Sequence, residues 1–130
     1  FCGDTLFAAG CGRLFEGTPK QMHESLSRFA ALPLNTSVYC GHEYTESNLN
    51  FALEVEPNNQ DVINRIDEVK NLRESNQVTL PSTIELELKT NPFMRCDQEN
   101  VIQAAKNYSA GSGESPAEIL GTIRDWKDNF

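Results

Sequence analysis

The chain has 130 residues, 38% of them hydrophobic, and a formal net charge of −8. That length bounds one ordinary domain or parts of two, and the acidic balance argues against nucleic-acid partners and anionic membrane surfaces. No apolar run approaches the roughly 20 residues of a membrane span. Four cysteines stand at 2, 11, 40 and 96, none at CxxC spacing. They read as buried reduced thiols rather than metal ligands or disulfides, which fits a cytoplasmic protein. The chain opens on Phe1 inside an apolar stretch, so the expectation is the C-terminal part of something longer.

In chain order, residues 1–3 and 5–9 read as a strand pair or one bent strand, interrupted by Asp4. Residues 10–17 hold three glycines and read as a loop, without the GxxxxGK[ST] order of a phosphate loop. Thr18-Pro19-Lys20-Gln21 predicts a helix start: Thr18 caps, Pro19 takes the first position, Gln21 completes a capping box. Met22, Leu26, Phe29 and Ala30 follow at helical spacing, and Pro33 ends the run. Residues 36–40 predict a short strand. Strand, helix and strand within about 40 residues make the end of an α/β layer.

After His42 no convincing strand follows. The pattern predicts a helix from Thr45 to Val55, with Thr45 as cap, then a break at 56–59. Asn58 or Asn59 caps a longer helix to about Ser75, with Val62, Ile66 and Val69 on one side. Residues 84–89 alternate apolar and acidic, which suits an edge strand or a short helix. Asn91-Pro92-Phe93-Met94-Arg95 is a turn with large side chains to bury. Asp97 is expected to cap a helix to about Asn107, and 109–114 form a Gly/Ser linker. Ser115, Pro116 and Glu118 open a last helix that turns Ile119, Ile123 and Trp126 inward. Residues 44–130 thus predict a small all-helical domain.

Two chemistry-bearing residues occupy the same kind of position. Asp4 lies between Gly3 and an apolar strand, and His42 follows Gly41 at the end of Val38-Tyr39-Cys40. Ligands of open α/β sheets gather at one edge of the strands, and a carboxylate and a neutral imidazole are both good donors to a divalent cation. His23 falls on the exposed side of its helix. Arg124 and Lys127 are three apart on one helical face. Such a pair suits an anionic ligand; a solvated basic edge is the plainer reading.

Gly3-Asp4-Thr5-Leu6-Phe7, Gly10-Cys11-Gly12-Arg13, Phe15-Glu16-Gly17-Thr18, Tyr39-Cys40-Gly41-His42-Glu43-Tyr44-Thr45, Asn91-Pro92-Phe93-Met94-Arg95 and Arg124-Asp125-Trp126-Lys127-Asp128 occur in this order. Together they resemble the C-terminal half of the glyoxalase II (hydroxyacylglutathione hydrolase) family, of the metallo-β-lactamase fold superfamily. The resemblance implies an α/β fold, the C-terminal half of an αββα sandwich (residues 1–43), followed by a helical substrate-binding domain (residues 44–130). It implies a dinuclear divalent-metal site, zinc first with iron or manganese as alternatives, in which Asp4 bridges the metals and His42 holds one. Asp4 would also orient the attacking water. It places Arg13, Phe15, Tyr44, Arg124 and Lys127 beside a glutathione thioester. Phe15 stands where some members carry a Tyr, which removes a hydroxyl donor.

The activity so implied is metal-assisted hydrolysis of S-2-hydroxyacylglutathione thioesters by a monomeric full-length parent. The superfamily's His-x-His-x-Asp-His motif is absent from these 130 residues, so the isolated chain is expected to be inactive. Two alternatives stand beside this reading. One is another thioester or sulfur-metabolising hydrolase of the same superfamily, and the other a non-catalytic helical binding module.

Overall fold

A computed structural model describes residues 1–14 and 17–130. The expectation for Phe15 therefore lies outside the described residues. Two strands open the chain, β1 (Leu6–Phe7) and β2 (Gly10–Cys11), paired antiparallel as a tight hairpin. Gly10 and Cys11 thus belong to a strand, not to the expected loop. Of residues 1–3, Gly3 alone pairs, in a parallel bridge to Cys40.

Helix α1 (Pro19–Ala30) starts as its sequence dictates: Thr18 and Gln21 exchange both capping bonds and Pro19 opens the first turn. It stops at Ala31, two residues short of Pro33. β3 (Ser37–Val38) is shorter than the expected 36–40 strand, and it pairs antiparallel with β4 (Ser82–Thr83). That partner overturns the expectation of no strand after His42.

The remaining described elements are helical. Helix α2 (Thr45–Val55) begins after Tyr44, with no side-chain cap; Thr45 sits inside the first turn and spends its hydroxyl elsewhere. Asn59 caps α3 (Gln60–Glu74) by accepting from the amides of Asp61 and Val62. Thr83 caps α4 (Ile84–Thr90), which settles the ambiguous alternating stretch as helix. A 3-10 turn at Pro92–Met94 follows, capped by Asn91. Helix α5 (Glu99–Tyr108) begins after Gln98, so Asp97 is not its cap. In α6 (Pro116–Asp128), Ser115 caps the Glu118 amide but the pairing back to its own backbone is not made. The architecture is therefore mostly helical, with two small antiparallel sheets among the described residues.

The main core joins the hairpin to the helices. Leu6, Leu26, Phe51, Phe93, Ile119 and Ile123 are all buried within it, each worth about 1.5–3 kcal/mol of transfer free energy. Leu49, Ala52, Val62 and Val69 make a second cluster between α2 and α3. His23 is half-buried rather than exposed.

The hairpin turn is short and unusual. Ala9 has φ +60°, a left-handed conformation that a non-glycine residue holds only when its surroundings insist. They do so through side chains of distant helices. Glu87 Oε1 accepts from the Ala9 amide (2.8 Å), and Asn91 Nδ2 donates to the carbonyls of Gly10 (2.9 Å) and Phe7 (3.3 Å). Asn48 Nδ2 donates to the Ala8 carbonyl (3.1 Å). Ser82 Oγ and Asn91 Nδ2 complete the shell of Glu87.

Glu87 is 1% exposed, and burial raises its pKa above the ordinary carboxylate value despite the hydrogen bonds from Ser82, Asn91 and Ala9. The folded state therefore binds this proton more tightly than the unfolded one. The stability Glu87 supplies is full below the unfolded carboxylate pKa and declines as pH rises through the folded value. Glu87→Gln, which preserves the shape, is expected to flatten that decline. Glu87→Ala orphans the Ala9 amide and the Ser82 hydroxyl and is expected to cost about 1–3 kcal/mol for each. Urea unfolding of the two variants at about pH 5 and about pH 7 reads both effects.

Candidate functional site

One cleft of about 570 Å³ takes its lining from Asp4, Phe7, Cys11, Arg13, His42, Tyr44, Asn48, Arg124 and Lys127 among others. Every sequence-predicted site residue among the described ones is here. The hairpin region brings Asp4 and Arg13, the loop after β3 brings His42 and Tyr44, and α6 brings Arg124 and Lys127.

Asp4 and His42 face each other, with Oδ1 3.3 Å from Nε2. The approach is set by the parallel bridge of Gly3 and Cys40, and by the Gly41 amide bonded to the Gly3 carbonyl at 2.8 Å. A Cβ on Gly41 would stand 2.7 Å from Asp4 Oδ1 and 3.2 Å from the Gly3 carbonyl, so a side chain there would displace the Asp4 carboxylate from His42. The His42 ring lies flat against Tyr44, with centroids 4.9 Å apart and 11° between planes, and both rest on Phe7. Both donors are open to solvent and converge on one point. They fit two positions of a divalent-metal ligand set, whereas a catalytic cation takes about three protein ligands. Among the described residues no group of three His, Cys, Asp or Glu converges to hold a metal.

The cationic wall is built differently at each residue. Arg124 is 5% exposed, so the solvated-edge reading does not hold for it. Its Nη1 donates to the Cys11 carbonyl at 2.7 Å, and its Nε and Nη2 reach Asp128 Oδ1 at 3.1 and 2.9 Å. The guanidinium also lies over the Phe93 ring. Arg13 is mostly exposed and reaches the same Asp128 carboxylate at 3.7 Å. Lys127 donates to Asn48 Oδ1 at 2.8 Å. Its pKa is lowered, first by burial and then by the Arg124 charge. Asn48 thus grips the hairpin with its nitrogen and Lys127 with its oxygen. Gly10 leaves room for it, since a Cβ there would meet Asn48 Nδ2 at 2.6 Å.

Beneath the wall, Cys11 is buried, and burial pushes its thiol up to about 11. It is a packed thiol, not a nucleophile. All four cysteines are free, as the sequence implied, although Cys2 and Cys40 are only half-buried.

Sequence reading passed over Asn48 and Asp128. Each lies four residues from a residue already singled out, Tyr44 and Arg124, and that spacing puts them on the same helical flank. The signal existed, but a buried Asn and an acid in an acidic chain carry no mark of their own.

The fold and cleft define a class: a helical unit that places a carboxylate–imidazole pair beside a wall of cations. Residues 43–130 match the family model described as Hydroxyacylglutathione hydrolase C-terminus, and the chain belongs to that family. Relatives named Hydroxyacylglutathione hydrolase extend the similarity to the whole chain. The one from Pseudomonas paraeruginosa is 59% identical over 130 residues, that from Pseudomonas aeruginosa strain LESB58 58%, and that from Idiomarina loihiensis 54% over 129 residues. The match covers 99–100% of this chain and 50–51% of those relatives, so the chain spans about half the length of the curated relatives it matches.

Arg124→Ala removes a buried cation that holds both Cys11 and Asp128. It is expected to lower stability by about 1–3 kcal/mol. Denaturant unfolding measures this effect without any ligand.

Proposed function

We propose that this chain is the substrate-holding half of a hydrolase that cleaves S-2-hydroxyacylglutathione thioesters, such as S-lactoylglutathione, to the hydroxy acid and glutathione. The observation that carries the reading is the meeting of the Asp4–His42 pair with Arg13, Arg124 and Lys127 in one cleft of an otherwise acidic chain. Family membership and the names of the relatives support it.

In this reading residues 1–43 are the C-terminal part of an αββα sandwich and 44–130 the substrate-binding domain. The parent is a cytoplasmic monomer. No helix of the described residues is long and apolar enough to cross a membrane. Asp4 would bridge two divalent cations and His42 would hold one of them. The other donors would come from the part of the parent that this chain does not span. Zinc is the first choice of metal, with iron or manganese accepted by the same donor types. The two cations, when bound, supply the Lewis acidity and the near-neutral water that thioester hydrolysis needs.

The chain's own residues do the rest. Arg13, Arg124 and Lys127 hold the glutathione carboxylates: the exposed Arg13 fork is suited to bidentate contact, while Arg124, already paired with Asp128 and Cys11, adds its positive charge to the wall. Tyr44 packs beside the substrate and keeps the His42 ring in place. Asp4 orients the attacking water by accepting a hydrogen bond from it. Phe15 is assigned to the glutathione by resemblance alone.

Thiol release from S-lactoylglutathione tests the activity. A protein of the relatives' full length, loaded with zinc, is expected to release thiol, and the 130-residue chain is not; silence from both overturns the reading. Lys127 gives a separate check through pH. Its lowered pKa means that its charge disappears below the ordinary lysine range, so affinity for S-methylglutathione should begin to fall there. Lys127→Met should bind more weakly at neutral pH and lose that part of the decline, as read by calorimetry.

A further inference from the structure

His42 lies outside helix and strand, and its side chain is half-exposed. Its ring is held by stacking on Tyr44 and contact with Phe7, with Asp4 facing Nε2, and its carbonyl accepts from the Cys40 thiol. The next residue is anchored far more firmly. Glu43 Oε1 accepts from the Thr79 amide. Glu43 Oε2 accepts from the hydroxyls of Thr79 (2.6 Å) and Thr45 (2.9 Å). Arg73 approaches Oε1 at 3.8 Å.

The anchor is itself fixed. Thr79 is buried, and its carbonyl accepts from Nη2 of Arg65, a buried cation of α3. The Thr45 and Thr79 hydroxyls also lie 2.6 Å apart, so their two protons are shared among one another and Glu43 Oε2. A continuous run of hydrogen bonds therefore leads from Arg65 in α3, through Thr79 in the segment between α3 and α4, to the backbone that carries His42 and Tyr44. The distances leave the carboxylate no role in the cleft itself: Glu43 does not line it, and its oxygens are taken up by Thr45, Thr79 and Arg73.

We propose that Glu43 is a positioning residue, clasping the His42–Tyr44 loop to Thr79 so that the imidazole is held in the orientation needed to bind a metal. This rests on the proposed metallohydrolase reading. A ligand imidazole of fixed direction gives up less freedom on binding a cation, and groups that orient metal ligands typically contribute about 10–100-fold in metal affinity.

The test uses the full-length parent carrying Glu43→Ala, Glu43→Gln or Thr79→Val. Gln keeps the oxygen for the Thr79 amide and supplies a donor that the two threonine hydroxyls accept, so it should restore what Ala removes. Three readings are taken: metal content after dialysis against a weak chelator, the visible spectrum of the cobalt-substituted protein, and hydrogen exchange of amides 41–44 in the metal-free protein.

Glu43→Ala is expected to lose metal at least tenfold more readily, to alter the cobalt spectrum, and to exchange those amides faster, with Gln close to wild type. A folded Glu43→Ala with wild-type metal retention and spectrum overturns the proposal, whatever its melting temperature. If Glu43→Ala does not fold, Thr79→Val decides: weakened metal retention sustains the proposal and unchanged retention overturns it. Failure of the underlying reading looks different, because the unmutated parent would then bind no metal and release no thiol.

Discussion

The hydrogen bonds that Glu87, Asn91 and Asn48 make to the turn at residues 7–10 hold the rest of the molecule to its site. A two-residue hairpin has almost no stability of its own. Here its turn donates or accepts at Phe7, Ala8, Ala9 and Gly10, and each bond is answered by a side chain from α2, α4 or the residue after α4. Buried backbone groups must be satisfied, so the turn can sit in the core only where those three side chains are. Asp4 and the Cys11–Arg13 segment flank it on either side. The position of the candidate ligand and of one cationic wall therefore follows from contacts made some 40 to 84 residues away in sequence.

Charge is distributed to the same end. The chain carries 19 acidic and 11 basic residues, yet Arg13, Arg124 and Lys127 share one cleft. Asp128 keeps the two arginines from being left unpaired, and Arg124 is further stabilised by the Cys11 carbonyl and the Phe93 ring. A buried guanidinium is tolerable only with such partners. The same partners fix its direction, so an incoming carboxylate would meet an arranged surface rather than a mobile one.

The sequence was informative where local rules act. The Thr18 box, the Asn59 cap, the bounds of α2 and the apolar faces of α3 and α6 follow from residues within a turn of each other, and the structure has them. Local rules failed where a tertiary partner competes. Thr45 reads as a cap, but Glu43 and Thr79 claim its hydroxyl. Gly10-Cys11 reads as loop from its glycines, but it folds back as a ladder on Leu6-Phe7, over a turn that Asn91 and Asn48 hold. β4 is two residues long and exists only because β3 lies opposite. For the site, residue types and motif order picked out Asp4, His42, Arg124 and Lys127. They could not reveal that Arg124 is buried, or that Asn48 and Asp128 hold the cations in place. Those roles arise from pairings across the chain, and no neighbouring residue announces them.

The bond from Arg124 to the Cys11 carbonyl joins residues 113 positions apart. At synthesis rates of about 5–20 residues per second, roughly 6–23 s separate the making of its two ends. Throughout that interval the nascent hairpin carries an unanswered carbonyl and a half-built wall, and Lys127 arrives later still. The cleft is thus assembled only once α6 has been made. A ribosome that stalls before α6 leaves the cationic wall unmade and the main core without Ile119, Leu120 and Ile123.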